Sequence, residues 1–236
     1  MIFAGICAGG KGTRLNQNGY SRIPKQFLLL KGKPVIAFSV ESFLLCEEIE
    51  KIFVAVSEDF FEHCTNLFSN PRIKVIKGGK TRAETVAILA KACGECGGTE
   101  EDILATHDAA RPFVSTEVIR RSIEAAMEYG VSGTAVAASD TVLRCQNGFV
   151  EDAPVRSEMF LSQTPQSFKL GLFDRVWNGL SEKEKEEATD VCGMFFRAGL
   201  RVRMVEGEKE CFKITFGEDM ERAEALVKKI IKGERL

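Results

Sequence analysis

The sequence predicts an α/β fold with a mostly parallel central sheet and helices on both faces. Short apolar or β-branched runs alternate with amphipathic stretches of helical length over most of the 236 residues. Repeated alternation of strand and helix is typical of crossover units, which build parallel sheets. A chain of this length can bury a substantial core without disulfide bonds or metal ions, so we expect one domain over residues 1–236.

Six runs are predicted to be strands because they are short, apolar and rich in β-branched residues. They cover residues 2–7, 52–56, 73–76, 103–106, 134–138 and 202–205. Ligands of a parallel sheet bind beyond the carboxyl ends of its strands. The segments that directly follow these runs are therefore the first candidates for functional residues.

Apolar residues at helical spacing predict helices over residues 34–46, 81–93 and 115–129. Ser115 is a suitable N-cap for the third helix, and Gly130 suits the left-handed position after its last turn. A capping box predicts a further helix from Ser181 to near Gly199. The last predicted helix, near the C-terminus, has acidic residues first and lysines last, as the helix dipole favours.

The alternation breaks between about residues 137 and 166. Within that segment Asn147 and Gly148, between the runs 140–144 and 149–150, predict a β-hairpin with a type I′ turn. A hairpin inserted into a parallel sheet usually projects from it, so we interpret residues 137–166 as a dimerisation arm. A hairpin at the edge of the same sheet is the alternative.

Composition argues against several classes of function. The chain has 32 basic and 34 acidic residues and a net charge of −2, so no general positive field indicates a nucleic-acid partner. No apolar run predicts a membrane span and no signal peptide pattern is present, which predicts a cytoplasmic protein. The eight cysteines are interpreted as reduced, small apolar side chains. Cys93 and Cys96 form one C-x-x-C, but the sequence has no second such pair, which argues against a structural zinc site.

The most informative stretch is the glycine-rich loop of residues 8–15, A-G-G-K-G-T-R-L, which follows the first strand. Its glycines allow a tight bend, and exposed backbone N–H groups in such a loop bind phosphate. Lys11, Arg14 and Lys25 add positive charge nearby, so we expect a nucleoside triphosphate here. The dinucleotide fingerprint is absent, and Gly12 stands where a P-loop needs a hydroxyl residue. A glycine-rich turn with solvated charges is the alternative interpretation.

Two more segments that follow predicted strands carry polar residues. Asp108, in H-D-A-A-R-P, is placed to bind Mg²⁺ beside a triphosphate, or else caps its turn. Arg111 is interpreted as a salt-bridge partner that shapes the same loop. The turn at residues 78–85, G-G-K-T-R-A-E-T, is predicted to give backbone contacts to the edge of a base, with Thr85 as a small polar contact and Arg82 as a brace.

Taken together, these motifs resemble the cytidylyltransferases that act on polyol phosphates. The segments A-G-G-K-G-T-R, P-K-Q-F, G-G-K-T-R-A-E-T, H-D-A-A-R-P-F, D-T-V, Q-T-P-Q-S-F and F-K-I-T occur in the order of that family, over nearly the whole chain. The resemblance implies a Rossmann-like, three-layer nucleotidyltransferase fold. It also implies CTP and a polyol phosphate as substrates, Mg²⁺ as cofactor, and a homodimer formed through the arm.

The resemblance further implies roles for individual residues around the nucleotide. Arg14 and Lys25 would stabilise the triphosphate and the pentavalent phosphorus, Lys213 would reach the α-phosphate, and Asp108 would hold Mg²⁺. The residues expected to contact the nucleotide are Ala8, Gly9, Gly10, Gly12, Thr13, Gly79, Thr85, Asp108 and Arg111.

The acceptor is assigned by the resemblance to the arm, where Thr141 and Arg156 would bind its phosphate in the active site of the partner subunit. Two branches of the family differ in their acceptor, which is either D-ribitol 5-phosphate or 2-C-methyl-D-erythritol 4-phosphate of isoprenoid synthesis. Residues 154–159 and the opening Ala-Gly-Gly resemble the ribitol branch, so CDP-ribitol is the expected product. The methylerythritol phosphate enzyme is the alternative.

Two positions depart from the pattern of the family or of its methylerythritol branch. Lys80 stands where that branch commonly has an acidic residue, and Cys211 replaces a frequent asparagine. Two other classes of protein stay open. One is a P-loop NTPase, against which Gly12 argues, and the other is a non-catalytic nucleotide-binding module, against which the intact set of cations argues.

Overall fold

The computed structural model of the protein describes residues 1–10 and 23–231. Seven of the described strands form a central sheet, which confirms the predicted α/β class. In spatial order they are β11 (Arg203–Glu206), β7 (Val131–Ala137), β10 (Phe160–Lys169), β6 (Ile103–Asp108), β1 (Ile2–Ala8), β4 (Lys51–Val56) and β5 (Ile73–Lys77). All neighbours in this sheet are parallel except at β10, which is antiparallel to both β6 and β7.

Helices cover both faces of this sheet. They are α1 (Val35–Leu44), α2 (Phe61–Leu67), α3 (Arg82–Glu95), α4 (Thr116–Tyr129), α5 (Leu170–Gly179), α6 (Glu182–Glu187), α7 (Val191–Arg197) and α8 (Gly217–Ile231). The pleat of β1 separates two hydrophobic cores: Ile6 packs with α1 and α4 on one face, and Phe3 packs with α3 and α5 on the other. Three layers, helix on sheet on helix, follow from this arrangement.

A third, smaller core lies beside the sheet and positions part of the site. Helix α8 packs Met220 and Ala223 against Leu30 of a short hairpin, β2 (Leu29–Leu30) with β3 (Lys33–Pro34). Ile214, which is fully buried, belongs to this same cluster. The segment just before α8 is therefore fixed next to the carboxyl ends of the strands.

The helix boundaries confirm the capping signals and correct one prediction. The Ser115 hydroxyl accepts a hydrogen bond from Val118 N at 3.2 Å, and Gly130 ends α4 with φ 85°. The single helix predicted from Ser181 to near Gly199 is wrong, because the chain forms two helices there, α6 and α7. The break has a local cause: Asp190 starts α7 as its N-cap by accepting from Gly193 N at 2.7 Å.

The predicted hairpin is confirmed as a two-stranded sheet of its own, β8 (Arg144–Gln146) with β9 (Phe149–Asp152). Asn147 and Gly148 both have positive φ, 52° and 84°, as a type I′ turn requires. The predicted end of the arm at about residue 166 is wrong, because Phe160–Lys169 is strand β10 inside the central sheet. We call residues 138–159 the arm.

Strand β10 itself went unpredicted. Its register against β7 shifts between Gln163 and Gln166, where Pro165 stands. A proline lacks the N–H for the ladder and argues against a central strand, which explains why the pattern was missed. In the part of the chain that the structure covers, no helix has the length and apolar character to span a membrane.

Candidate active site

A cleft of about 300 Å³ opens at the carboxyl ends of β1, β5 and β6. It brings together many of the residues predicted from the sequence. These are Ala8, Gly9, Gly10, Lys25, Gly79, Thr85, Asp108 and Lys213. The predicted residues Gly12, Thr13 and Arg14 lie outside the described residues.

Asp108, the last residue of β6, is the electrostatic centre of the cleft. Its Oδ1 accepts a hydrogen bond from Arg82 Nε at 2.9 Å, and its Oδ2 accepts one from Lys213 Nζ at 2.7 Å. Burial would raise the pKa of this carboxyl, but Arg82, Lys213 and Arg111 hold the pKa well below its usual range. Burial likewise would lower the pKa of the Arg82 guanidinium, but Asp108 outweighs burial and the pKa rises. Both charges therefore persist inside the protein.

Lys25 and Lys213, two lysines of the cleft, are tied to one short segment. Lys213 precedes Ile214, whose carbonyl accepts a hydrogen bond from Lys25 Nζ at 2.5 Å. The Ile214 N–H in turn donates to Ala110 O at 2.9 Å, next to Asp108. Residues far apart in sequence thus place two ammonium groups at the same end of the cleft.

Gln26 holds the glycine loop and was missed from the sequence. Its buried Nε2 donates to Ala8 O at 2.6 Å and to Gly10 O at 2.9 Å. A buried amide that satisfies two loop carbonyls fixes the backbone on both sides of Gly9. The only signal in the sequence was its position directly after Lys25 in P-K-Q-F.

The second glycine turn is held by its own side chains. Thr85 Oγ1 donates to Thr81 O at 2.8 Å and accepts from Gly79 N at 3.1 Å. A Cβ on Gly79 would lie 2.5 Å from the Cβ of Glu84, so the turn requires glycine. The hydroxyl of Thr85 therefore shapes the turn. Its contact with the nucleotide stays a prediction.

Arg111, which was predicted to contact the nucleotide, is not among the residues that line the described part of the cleft. Its two terminal nitrogens donate to Cys211 O at 2.9 Å and to Ser162 O at 3.2 Å. Its Nε lies 3.9 Å from Asp108 Oδ2. This geometry fits the other prediction for Arg111, a salt-bridge partner that shapes the loop.

His107 lies fully buried beneath Asp108 in a defined network. Its Nε2 is 3.1 Å from Arg111 O, which can only accept, so this nitrogen carries the proton. Its Nδ1 then accepts from the Thr164 hydroxyl at 2.9 Å, and that oxygen accepts from Asp108 N at 3.1 Å. Burial lowers the pKa of His107 to about 4, so the ring is neutral at pH 7. Thr164, on the strand that went unpredicted, was missed from the sequence.

The donor set of the cleft decides which kind of metal site is chemically reasonable. Among the described residues no group of three or more His, Cys, Asp or Glu side chains could hold a metal ion. Asp108 is the one carboxylate on the described walls of the cleft. Mg²⁺ is commonly bound by one or two carboxylates together with substrate phosphates. Asp108 therefore fits a Mg²⁺ ion that arrives with a nucleotide and does not fit a site made from protein alone.

Thr141 and Arg156, the predicted acceptor-binding residues, are exposed on the arm and do not line the described part of this cleft. The structure therefore does not bring them to the cleft of their own subunit.

The sheet topology and the strand-end cleft with its glycine turns and lysines define the class of the protein, a nucleotidyltransferase. The sequence model of the 2-C-methyl-D-erythritol 4-phosphate cytidylyltransferase (IspD) family matches residues 2–229. The chain belongs to this family of enzymes, and it is a cytidylyltransferase that uses CTP and a polyol phosphate. The predicted resemblance to polyol-phosphate cytidylyltransferases is thereby confirmed.

Solved structures agree with this assignment. The 2-C-methyl-D-erythritol 4-phosphate cytidylyltransferase of Francisella tularensis is 28% identical, with a TM-score of 0.77 over 94% of this chain and 97% of that one. The enzyme of the same name from Thermus thermophilus is 26% identical, with a TM-score of 0.72 over 97% and 100% of the two chains. The 4-diphosphocytidyl-2C-methyl-D-erythritol synthase of Anaerococcus prevotii shares the fold, with a TM-score of 0.79 at 22% identity over 97% and 96%.

These comparisons favour the alternative acceptor over the expected one. The family and the similar structures carry the name of the methylerythritol phosphate enzyme, so they give no support to the ribitol branch. The preference for ribitol rested on residues 154–159 and on the opening of the glycine loop. Residues 154–159 lie on the arm, outside the described walls of the cleft.

The buried His107 predicts a loss of stability in mild acid. Its pKa is about 4 in the folded protein and near 6.5 in the unfolded chain, so the unfolded chain binds more protons between these values. Stability is fully present above pH 6.5 and falls by about 3 kcal/mol as the pH drops to 4. Urea unfolding across this range should show the slope. His107→Gln should flatten it, whereas His63→Gln, at an exposed position, should retain it. Equal slopes in all three proteins would contradict the assignment.

Proposed function

We propose that this protein transfers the cytidylyl group of CTP to 2-C-methyl-D-erythritol 4-phosphate and releases pyrophosphate. The observation that carries the proposal is the family match over residues 2–229, which names this acceptor. The cleft supports it, because it collects glycine turns, lysines and a charged aspartate at the ends of the parallel strands.

In the proposed reaction a phosphate oxygen of the acceptor forms a bond to the α-phosphorus of CTP, and the bond from that phosphorus to pyrophosphate breaks. Negative charge gathers on the α-phosphate and on the leaving group. Lys213 and Lys25 stabilise this charge as preorganised cations, together with the predicted contribution of Arg14. No covalent enzyme intermediate is needed, because positioning and charge carry the reaction.

The walls of the cleft suggest how the nucleotide is held. The loop carbonyls of Ala8 and Gly10 are already bound to Gln26, so the backbone that approaches the phosphates is rigid. Gly79, kept small by the packing of Glu84, allows close approach of the nucleoside. Asp108 would hold Mg²⁺, which would supply positive charge to neutralise part of the charge of the phosphates.

We further propose that the arm makes a homodimer and carries Thr141 and Arg156 to the acceptor in the partner's cleft. Two features support this proposal. The arm residues 140–153 are exposed, and two strands alone are rarely stable in water. Large apolar side chains are exposed on the arm and at its base: Val142, Leu143, Phe149, Val150, Val155, Phe160 and Leu161. Apolar patches of this kind mark protein interfaces.

The acceptor is tested by pyrophosphate release from CTP with each polyol phosphate in parallel. We expect kcat/KM with 2-C-methyl-D-erythritol 4-phosphate to exceed that with D-ribitol 5-phosphate by about a hundredfold or more, since a site built for one acceptor's hydroxyls rejects another. A preference for D-ribitol 5-phosphate would contradict the proposal. Pyrophosphate release without any acceptor would favour an NTPase, and CTP binding without turnover would favour a non-catalytic module.

Lys25→Ala is expected to lower kcat by about two orders of magnitude or more, because it removes a cation from the transition state. The matched control is Lys74→Ala, at an exposed position on the edge strand β5, which should leave kcat unchanged. Thermal melting of both variants reports whether the fold is intact. A folded Lys25→Ala variant with wild-type turnover would remove this residue from the mechanism.

Arg156→Ala is expected to raise KM for the polyol phosphate by about tenfold or more and to leave KM for CTP unchanged. Arg144→Ala, exposed on the same arm, is the control.

Mixing the Arg156→Ala and Lys25→Ala proteins tests which subunit's site the arm completes. A mixed dimer has one intact site only if the arm serves its partner. With the acceptor well below its KM, activity should then recover to about a quarter of the wild-type level, given random pairing in a symmetric dimer. No recovery would mean that the arm does not complete the partner's site.

A further inference from the structure

Two hydrogen-bond donors of Arg82 have no acceptor among the described residues. Its Nε is bound to Asp108, but its Nη1 and Nη2 are buried and find no acceptor among the described residues. Buried donors are nearly always matched in folded proteins, and an internal water molecule often supplies the match. Arg82 was interpreted from the sequence as a brace of its turn, which does not explain these two groups.

A small cavity with about 10 Å³ of space is lined in part by Arg82 and Asp190. This space is close to what one water molecule needs, provided that two to four polar partners surround it. Arg82 and Asp190 are the charged residues on its walls, and the rest of the lining, which includes Phe173 and Met194, is apolar. The two Nη groups of Arg82 and the carboxylate of Asp190 are the candidate partners of a water there.

Asp190 has acceptor capacity left for such a water. Its Oδ1 accepts from Gly193 N at 2.7 Å as the N-cap of α7. Its Oδ2 accepts from Gln166 Nε2 at 3.3 Å and from Ser162 Oγ at 3.4 Å, both long contacts. A carboxylate accepts about four hydrogen bonds, so a donor from the cavity can be accommodated.

We propose that one buried water joins Asp190 to the Nη groups of Arg82, and that Arg82 so held is a positioning residue for Lys213. The chain of contacts runs from Asp190 through the water to Arg82, from Arg82 to Asp108 Oδ1, and from Asp108 Oδ2 to Lys213 Nζ. Because Arg82 is held at both ends, it fixes the rotamer of Asp108. Asp108 in turn fixes the position of the Lys213 ammonium group that faces the cleft. The positioning role of Arg82 rests on the proposed function, whereas the water bridge is independent of it.

The test combines a crystal structure with a double-mutant cycle. A high-resolution structure of the ligand-free protein should show a water within hydrogen-bond distance of Arg82 Nη and Asp190 Oδ. Asp190→Asn keeps an N-cap acceptor and removes the charge, and we expect it to lower kcat about tenfold with KM for CTP unchanged. Arg82→Lys should lower kcat about a hundredfold. The double variant should be no slower than Arg82→Lys alone, because both changes break one chain.

Controls keep the outcomes distinct. Asp174→Asn, at an exposed position on α5, should retain wild-type kinetics. Additive losses in the double variant, or a melting temperature that falls while kcat is unchanged, would reduce Asp190 to a helix cap and overturn the positioning role. A structure in which the Nη groups bind a protein acceptor directly would overturn the water bridge. A wild-type protein inactive with both acceptors would instead overturn the proposed function, and the crystal structure would still decide the water.

Discussion

The cleft depends on one buried carboxylate that holds like charges together. Asp108 stands at the end of a central strand and binds Arg82 through one oxygen and Lys213 through the other. Without it, these two cations and Lys25 nearby would repel one another in a region of low dielectric. Without them, the carboxylate would take up a proton on burial. Each charge is tolerated because of the others, and the result is a surface with excess positive charge, suited to a triphosphate.

The three hydrophobic cores explain how residues so far apart in sequence reach this point. The core under α3 fixes the start of that helix and hence Arg82. The small core around α8 fixes Ile214 and thereby positions Lys213, the preceding residue. The core under α1 and α4 packs β1 and β6 side by side, which sets the distance between the glycine loop and Asp108. Apolar packing thus does the positioning, and the polar contacts only complete it.

Local signals in the sequence were enough for most of the architecture. The N-cap at Ser115, the glycine that ends α4 and the Asn-Gly turn act over a few residues, and all three are confirmed. Strand β10 could not be predicted in this way, because a proline interrupts it and its partners are distant in the chain. The rule that ligands bind beyond strand ends found Asp108 and the glycine loop. It could not find Arg82 or Gln26, since nothing in their local sequence distinguishes a surface side chain from one that reaches across the fold.

The arm leaves the sheet and returns to it at paired positions. Ala137, the last residue of β7, lies opposite Phe160, the first of β10. Any segment inserted between these two positions begins and ends at the same place on the sheet. A change in its length therefore does not displace the strands. Loop closure over such a short gap depends only weakly on the number of residues between. The fold can therefore exchange or resize its protruding segment while the strands that carry the chemistry remain undisturbed.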